Sequence, residues 1–231
     1  MERIEVIYED QERLVVNKPA GVTVHNGPAN LIECLQRSEG QRLHLVHRLD
    51  RETSGLLLLA KTPAATTRLQ AALASIESCK SYLAIVRGCP RTAHGTWTRA
   101  ISAKAEGRKN PAGLSRDRVP AQTDFERIDQ TPWLSLLRCE LKSGRQHQIR
   151  KHAALAGCPL VGDRRYGDPK HAKTIARRFA FEGLALHAVA LSIQDQGERL
   201  TFRCPPPQSW ACFGFSIGQS SSSSGEEGAL K

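Results

Sequence analysis

The sequence lacks the long apolar run that a membrane-spanning helix requires. About 18 consecutive apolar residues are needed to cross a bilayer, and no stretch of this chain approaches that length. The amino-terminal stretch MERIEVIYEDQER is charged throughout, whereas a secretory signal has an uncharged apolar core. We therefore expect a soluble, unexported protein that is located in the cytoplasm and has no membrane partner.

The motifs of common metal and cofactor sites are also missing. The seven cysteines are odd in number and scattered, with no C-x-x-C pair, which favours reduced thiols over disulfides or a zinc site. The histidines show no H-E-x-x-H spacing, and the chain has no glycine-rich phosphate loop, no G-x-S-x-G elbow and no dinucleotide fingerprint. The sequence predicts neither a metal nor a cofactor.

Positive charge, by contrast, is abundant and concentrated. The formal net charge is +10, and residues 142–178 contain ten Lys or Arg against two acids, a local balance of +8. Such a segment is either an ordinary solvated surface or a footprint for the phosphate backbone, whose counterions are released on binding. Charge alone favours nucleic acid as the partner.

Short strands and a few helices are predicted along the chain. Thr62 offers a helix cap and Pro63 a first-turn proline, so that a helix is expected over 63–76. A second helix is expected over 146–156. Apolar and β-rich runs bounded by turn residues predict a strand, a turn and a strand within 4–25, and further strands at 55–61, 81–87, 134–141, 184–193 and 199–203.

These elements favour an α+β fold: a mixed, mostly antiparallel sheet with flanking helices. We expect one domain over residues 1–215 and a disordered polar tail over 216–231, where serine and glycine dominate and few residues could pack. The polar stretch 101–119 is expected to be a mobile insertion or long loop on the side that faces nucleic acid.

Asp50 is the first residue that could perform chemistry. It lies between Arg48 and Arg51, just before a turn that enters the apolar run GLLLLAK. Such an acid could merely cap a turn or form a surface ion pair. A carboxylate at the mouth of a buried strand, with cations that keep it ionised, could also act as a nucleophile or general base.

Two further segments could complete a site. In LKSGRQHQIRKH, residues 141–152, Arg145 and Lys151 are expected on a solvated basic face, whereas Arg150 follows Ile149 near the apolar face and needs a carboxylate partner. In KSYLAIVRG, Tyr82 is either a core residue of its strand or a platform on which a base stacks.

Taken in order, these segments resemble the RluA-type pseudouridine synthases, in the short form without an amino-terminal RNA-binding domain. HRLDRETSGLLLLAKT resembles the catalytic-aspartate motif of that family, KSYLAIVRG its tyrosine motif, and SGRQHQIRKHAALAGCPLVGDRRYGD its arginine motif. EVIYEDQERLVVNKPAGVTVH and LALHAVALSI are similar to its flanking blocks, so that the resemblance covers roughly residues 4–207.

The resemblance implies an isomerase, free of metal and cofactor, that converts uridine in structured RNA to pseudouridine. Asp50 would be the nucleophile, Arg150 its paired arginine, Tyr82 the ring against the target uracil and Ile149 the apolar residue beneath it. Arg48 would fill the space that the displaced base leaves, while Arg51 is left with at most a phosphate contact.

The expected substrate is transfer RNA, large-subunit ribosomal RNA or both, handled by a monomer, and no DNA partner is expected. In the absence of an added RNA-binding domain, substrate choice would depend on the surface of the catalytic domain, including residues 101–119.

Two other functions are open at this point. A non-catalytic RNA-binding or RNA-folding protein on the same scaffold would fit the charge, but it gains nothing from a carboxylate that faces phosphates. A hydrolase that uses Asp50 on a phosphorylated small molecule would need a metal or a phosphate cradle, and the sequence contains the motif of neither.

Overall fold

The computed structural model describes residues 4–25, 27, 30–40 and 42–216, in which twelve strands are present, and ten of them form one mixed sheet. The strands are β1 (Glu5–Glu9), β2 (Arg13–Lys18), β3 (His44–Leu45), β4 (Ser54–Ala60), β5 (Cys79–Arg87), β6 (His94–Trp97), β7 (Ile101–Ser102), β8 (Arg118–Val119), β9 (Thr123–Gln130), β10 (Leu134–Leu141), β11 (Leu186–Asp195) and β12 (Glu198–Arg203). The α-helices are α1 (Leu31–Glu39), α2 (Pro63–Ala74), α3 (Gln148–Leu155) and α4 (Pro169–Phe179).

The large sheet has the order β1-β2-β4-β11-β5-β10-β9-β6, with β3 added to β4 and β12 added to β11. Every pairing in it is antiparallel except that of β4 with β11. The predicted fold class, a mixed and mostly antiparallel sheet with flanking helices, is confirmed. Of the predicted tail over 216–231, all but residue 216 lies outside the described residues.

β4 contributes buried side chains to the cores on both faces of the sheet. All seven of its residues are buried, and its side chains alternate, as the period of a strand requires. Leu57 and Leu59 enter a core that α1 and α3 share, whereas Leu56 and Leu58 enter a core against α2. The prediction of a strand buried on both faces is therefore confirmed, and it places the residues just before β4 on a rigid support.

Gly55 allows β4 to approach β11 closely. Its φ is +111°, and a Cβ atom there would lie 2.4 to 2.9 Å from backbone atoms of Ala188. We expect Gly55→Ala to lower the free energy of unfolding by more than ~2 kcal/mol, because backbone strain and collision add. Urea denaturation would measure it. Gly157→Ala is the control, since its φ is also positive but the space around it is open; an equal loss in both variants would contradict the collision.

The predicted helices exist with shifted ends. α2 begins at Pro63 as predicted, with Thr62 Oγ1 accepting from the Ala65 N–H at 3.1 Å, and it ends two residues before the predicted end. α3 begins two residues later than predicted and ends one residue earlier. Two helices, α1 and α4, were not predicted from the sequence. No helix of the described residues is long and apolar enough to cross a membrane.

Residues 101–119 form the predicted long loop, but its ends pair as the small β7–β8 sheet. Lys151 is fully buried beneath this loop, and its Nζ donates to the carbonyls of Ser102 and Lys104, each at 2.7 Å. The prediction that Lys151 lies on a solvated face was wrong. A buried ammonium needs several acceptors, and the loop backbone supplies them, so that the loop is tied to α3.

Candidate active site

Asp50 lies in the turn between β3 and β4. The backbone N–H of Thr53 donates to the Asp50 carbonyl at 3.1 Å, which closes the turn directly before the buried strand. The Asp50 side chain is 17% exposed and lines a cleft of about 430 Å³. A buried strand thus follows a mostly buried carboxylate that lines a cavity open to solvent.

Lys18, at the end of β2, holds this turn through hydrogen bonds to backbone carbonyls. Its side chain is fully buried, and Nζ donates to the carbonyls of Pro19, Val22 and Arg51 at 2.8, 3.0 and 3.1 Å. Arg51 Nε in turn donates to the Gly21 carbonyl at 2.9 Å. Arg51 therefore joins the Asp50 turn to the loop after β2. From the sequence, at most a phosphate contact was expected of it.

Arg150 lies opposite Asp50 at the beginning of α3. Its Nη1 is 3.7 Å from Asp50 Oδ2 and 3.4 Å from Glu52 Oε2. Its main partner, however, is Asp163, whose two carboxylate oxygens accept from Nε and Nη2 at 2.9 Å each. The predicted ion pair of Arg150 with Asp50 is therefore present. The bidentate partner of the buried guanidinium, however, is Asp163, which was not predicted as a site residue.

Two apolar residues form the walls of the cleft near the carboxylate. Tyr82 on β5 is 9% exposed, and Ile149 on α3 is 4% exposed. Both line the cleft together with Leu186 of β11. A planar ring could rest between such surfaces, because aromatic and aliphatic side chains bury the faces of a base while its edges stay available for hydrogen bonds.

Arg48 is exposed beside the carboxylate and lines both this cleft and a smaller neighbouring one of about 230 Å³. The residue before it, His47, accepts a hydrogen bond from the Leu58 N–H at 3.0 Å through Nε2. This bond ties the residue before Arg48 to β4.

The surroundings of Asp50 act on its pKa in opposite directions. Burial raises the pKa above its ordinary value of 3.8, the charge of Arg150 lowers it, and the charge of Glu52 raises it again; the net change is upward. Burial disfavours the charged form of a carboxyl group, and the nearby cation compensates only in part. Asp50 is thus a carboxylate with less solvation than usual, which favours nucleophilic attack.

The fold brings all five sequence-predicted residues to one cleft: Arg48, Asp50, Tyr82, Ile149 and Arg150. A family model described as RNA pseudouridylate synthase matches residues 12–155, which include all of them. The chain belongs to the RNA pseudouridylate synthase family. The resemblance drawn from the motifs is therefore confirmed.

Relatives support this family membership over most of the chain. The uncharacterized RNA pseudouridine synthase YlyB of Bacillus subtilis is 35% identical over 222 residues, covering 90% of this chain and 71% of the relative. The ribosomal large subunit pseudouridine synthase C of Escherichia coli K12 is 36% identical over 210 residues, covering 87% and 66%. The chain spans about two thirds of the length of these relatives.

Solved structures of the family share the fold. The human protein RNA pseudouridylate synthase domain containing 4 superposes with a TM-score of 0.75 at 24% identity, covering 91% of this chain and 93% of that one. For domain containing 1 the TM-score is 0.77 at 25% identity, with 95% and 91% covered.

Three residues of the candidate site were not predicted from the sequence: His147, Asp163 and Tyr166. His147 Nε2 lies 3.7 Å from Asp50 Oδ1, and its Nδ1 lies 2.9 Å from the Tyr166 hydroxyl. One signal was available, since Asp163 is one of only two acids in the basic segment 142–178. Among the described residues, no group of three or more metal-ligating side chains could hold a metal ion.

The basic segment of the synthase is only partly a surface. Eight of its ten cationic residues are exposed, and the other two, Arg150 and Lys151, are buried at 4% and 0%. The exposed set is Lys142, Arg145, Arg164, Arg165, Lys170, Lys173, Arg177 and Arg178. Arg145 is exposed as predicted. The segment thus supplies both an outward positive charge and the internal cation of the site.

Proposed function

We propose that this chain isomerises uridine in structured RNA to pseudouridine, with Asp50 as the nucleophile. The observation that carries the proposal is the placement of one mostly buried carboxylate, faced by the buried Arg150, in a cleft that Tyr82, Ile149 and Leu186 also line. The cleft volume of about 430 Å³ falls in the range of small-molecule sites.

The reaction explains why a carboxylate is needed there. The glycosidic bond must break, the freed uracil must turn, and a bond from carbon to the sugar must form. A covalent or tightly enclosed intermediate prevents water from capturing the sugar meanwhile. Asp50 can supply the covalent partner, and Arg150 stabilises its negative charge while Asp163 keeps the guanidinium in place.

Access to the base gives roles to the other three predicted residues. A stacked uridine must be extruded from the RNA, which costs a few kcal/mol. We assign Arg48 to the space that the base leaves, because its side chain is exposed at the cleft mouth. Tyr82 and Ile149 then contact the two faces of the uracil, since both line the cleft with buried apolar surface.

We propose that the substrate is large-subunit ribosomal RNA, transfer RNA or both. The name of the Escherichia coli relative, ribosomal large subunit pseudouridine synthase C, supports the first, and the exposed cations of residues 142–178 suit the phosphates of any structured RNA. Mapping pseudouridines by carbodiimide labelling, in cells with and without the gene, would identify the RNA and the position.

Release of tritium from carbon 5 of uridine tests the reaction directly. RNA transcribed with 5-tritiated uridine should lose tritium in proportion to the pseudouridine formed. Transcripts of transfer RNA and large-subunit ribosomal RNA would be compared in parallel, with circular dichroism as the check of folding. If folded protein releases no tritium from either RNA or from total cellular RNA, the chain is not a synthase.

The raised pKa of Asp50 predicts the acid side of the pH profile. Because the nucleophile must be ionised, kcat/KM should fall as the pH decreases through a pKa above 3.8. The charge of Glu52 raises the pKa of Asp50, so Glu52→Gln should move this acid limb to lower pH. Glu126→Gln, an exposed carboxylate that lines neither cleft, is the control; an equal shift in both variants would contradict the assignment.

We further propose that the protein acts as a monomer in the cytoplasm and does not act on DNA. The RNA 2′-hydroxyl distinguishes the two nucleic acids. A deoxyuridine version of the modified strand should neither be turned over nor compete strongly. Sedimentation at working concentration measures the oligomeric state.

A further inference from the structure

His147 has a left-handed backbone conformation. It immediately precedes α3 with φ +56° and ψ +30°, in the left-handed region. Residues other than glycine adopt this region rarely, and at some cost in strain. With this backbone conformation the imidazole lines the cleft, where it lies between Asp50 and Tyr166.

The two oxygens of the Asp50 carboxylate face different donors. Oδ1 lies 3.7 Å from His147 Nε2, and Oδ2 lies 3.7 Å from Arg150 Nη1. Arg150 belongs to the first turn of α3, and His147 immediately precedes the helix, three residues earlier. Because catalytic hydrogen bonds are often long before the substrate binds and then shorten, a pair of donors at this distance can hold the plane of the carboxylate.

His147 is neutral in this environment. Its side chain is 11% exposed. Burial lowers its pKa to about 3, and the charges of Arg150, Arg165 and Lys151 lower it as well. A neutral imidazole carries one proton, on either Nδ1 or Nε2, and the partner of the other nitrogen decides which. The tautomer therefore determines whether Asp50 meets a donor or a lone pair.

Tyr166 is placed to decide the tautomer. Burial raises its pKa to about 12, so the phenol keeps its proton. The protonated hydroxyl can donate to His147 Nδ1, 2.9 Å away. The opposite tautomer would point the Nε2 lone pair at the Asp50 carboxylate.

We propose that Tyr166 holds His147 as the Nε2–H tautomer, and that this N–H positions the Asp50 carboxylate for attack. His147 is thus a positioning residue, with Tyr166 acting through it. The catalytic part of the proposal rests on the proposed function of Asp50, whereas the tautomer does not.

The tautomer can be measured without turnover. Two-bond ¹H–¹⁵N correlation spectra of protein with ¹⁵N-labelled histidine distinguish the two neutral forms, and the His147 signals are assigned by their loss in His147→Gln. We expect the Nε2–H pattern in the wild-type protein and a shift of population towards Nδ1–H in Tyr166→Phe. An Nδ1–H pattern in the wild type, or no effect of Tyr166→Phe, would overturn the assignment even if the protein proved to be no synthase.

The positioning role is tested by two variants of similar size. His147→Leu removes the donor, whereas His147→Gln keeps an N–H donor at about the same reach. We expect His147→Leu to lower kcat by about 10- to 100-fold, the worth of one hydrogen bond to a charged group, with KM for RNA little changed. His147→Gln should restore most of this loss. Equal activity of the two variants, both folded, would contradict the role.

The pH profile adds a measurement that a merely structural defect would not move. Loss of a donor to Asp50 raises the pKa of its carboxyl group, so the acid limb of kcat should move to higher pH in His147→Leu and return in His147→Gln. The other charged or titratable groups that act on Asp50 are unchanged in both variants: Lys18, Arg48, Glu52, Tyr82, Arg150 and Lys151. An unmoved limb in His147→Leu would overturn the proposal.

Discussion

Replacement of Asp50 by asparagine is expected to lower tritium release by at least about 10⁴-fold, since loss of a nucleophile removes the reaction path itself. The fold should be unaffected, because asparagine has the same shape. The pKa of Asp50 is raised in the folded state. A carboxyl group with a raised pKa disfavours folding once it is ionised, so loss of the Asp50 charge should not destabilise the fold. The free energy of unfolding at pH 7 should therefore be equal or higher in Asp50→Asn.

The control for this variant is the neighbouring carboxylate. Glu52 lines the smaller neighbouring cleft, 3.4 Å from Arg150, and its side chain is 52% exposed. Glu52→Gln removes the same charge and should retain turnover. Binding of RNA, measured by filter retention, should be unchanged or tighter in both variants, since each loses a negative charge near phosphates. Normal turnover by Asp50→Asn would exclude Asp50 as the nucleophile.

Elements with strong local signals were predictable from the sequence. The apolar run of β4 is bounded by Gly55 and Lys61, and the start of α2 combines a threonine cap with a first-turn proline. Both signals depend on residues within one or two turns of chain. The start of α3 was misplaced because the left-handed conformation of His147 delays the helix, and no local residue pattern predicts that conformation.

The resemblance predicted which residues meet at the site but could not predict their partners. Lys151 is buried because loop carbonyls about 50 residues earlier in the chain accept from it, and no local pattern distinguishes it from Arg145. The sequence also does not show that Asp163 is the main partner of Arg150. Asp163 follows a connection after α3, and its position depends on the isolated bridge that Leu160 makes with Val86 of β5.

The pair of Arg150 and Asp163 carries the second large prediction. The Asp163 side chain is fully buried, and the Arg150 side chain is 4% exposed. We expect Asp163→Asn to lower the free energy of unfolding by about 3–5 kcal/mol at pH 7, because it leaves a buried guanidinium without its bidentate partner. Urea denaturation would measure the loss. Activity should fall too, since Arg150 would no longer be fixed opposite Asp50.

The pH dependence separates this charge effect from a packing defect. Burial alone would raise the pKa of Asp163, but hydrogen bonds and the charge of Arg150 outweigh it, and the pKa lies below 3.8. Its contribution to stability is therefore full above the unfolded value and is lost as the pH falls through the folded one. The difference between wild type and Asp163→Asn should shrink in that range, whereas a packing defect would persist. The control is Asp195→Asn. Asp195 is a buried carboxylate that pairs with Arg13 and Arg68, so this variant should destabilise the fold without lowering kcat.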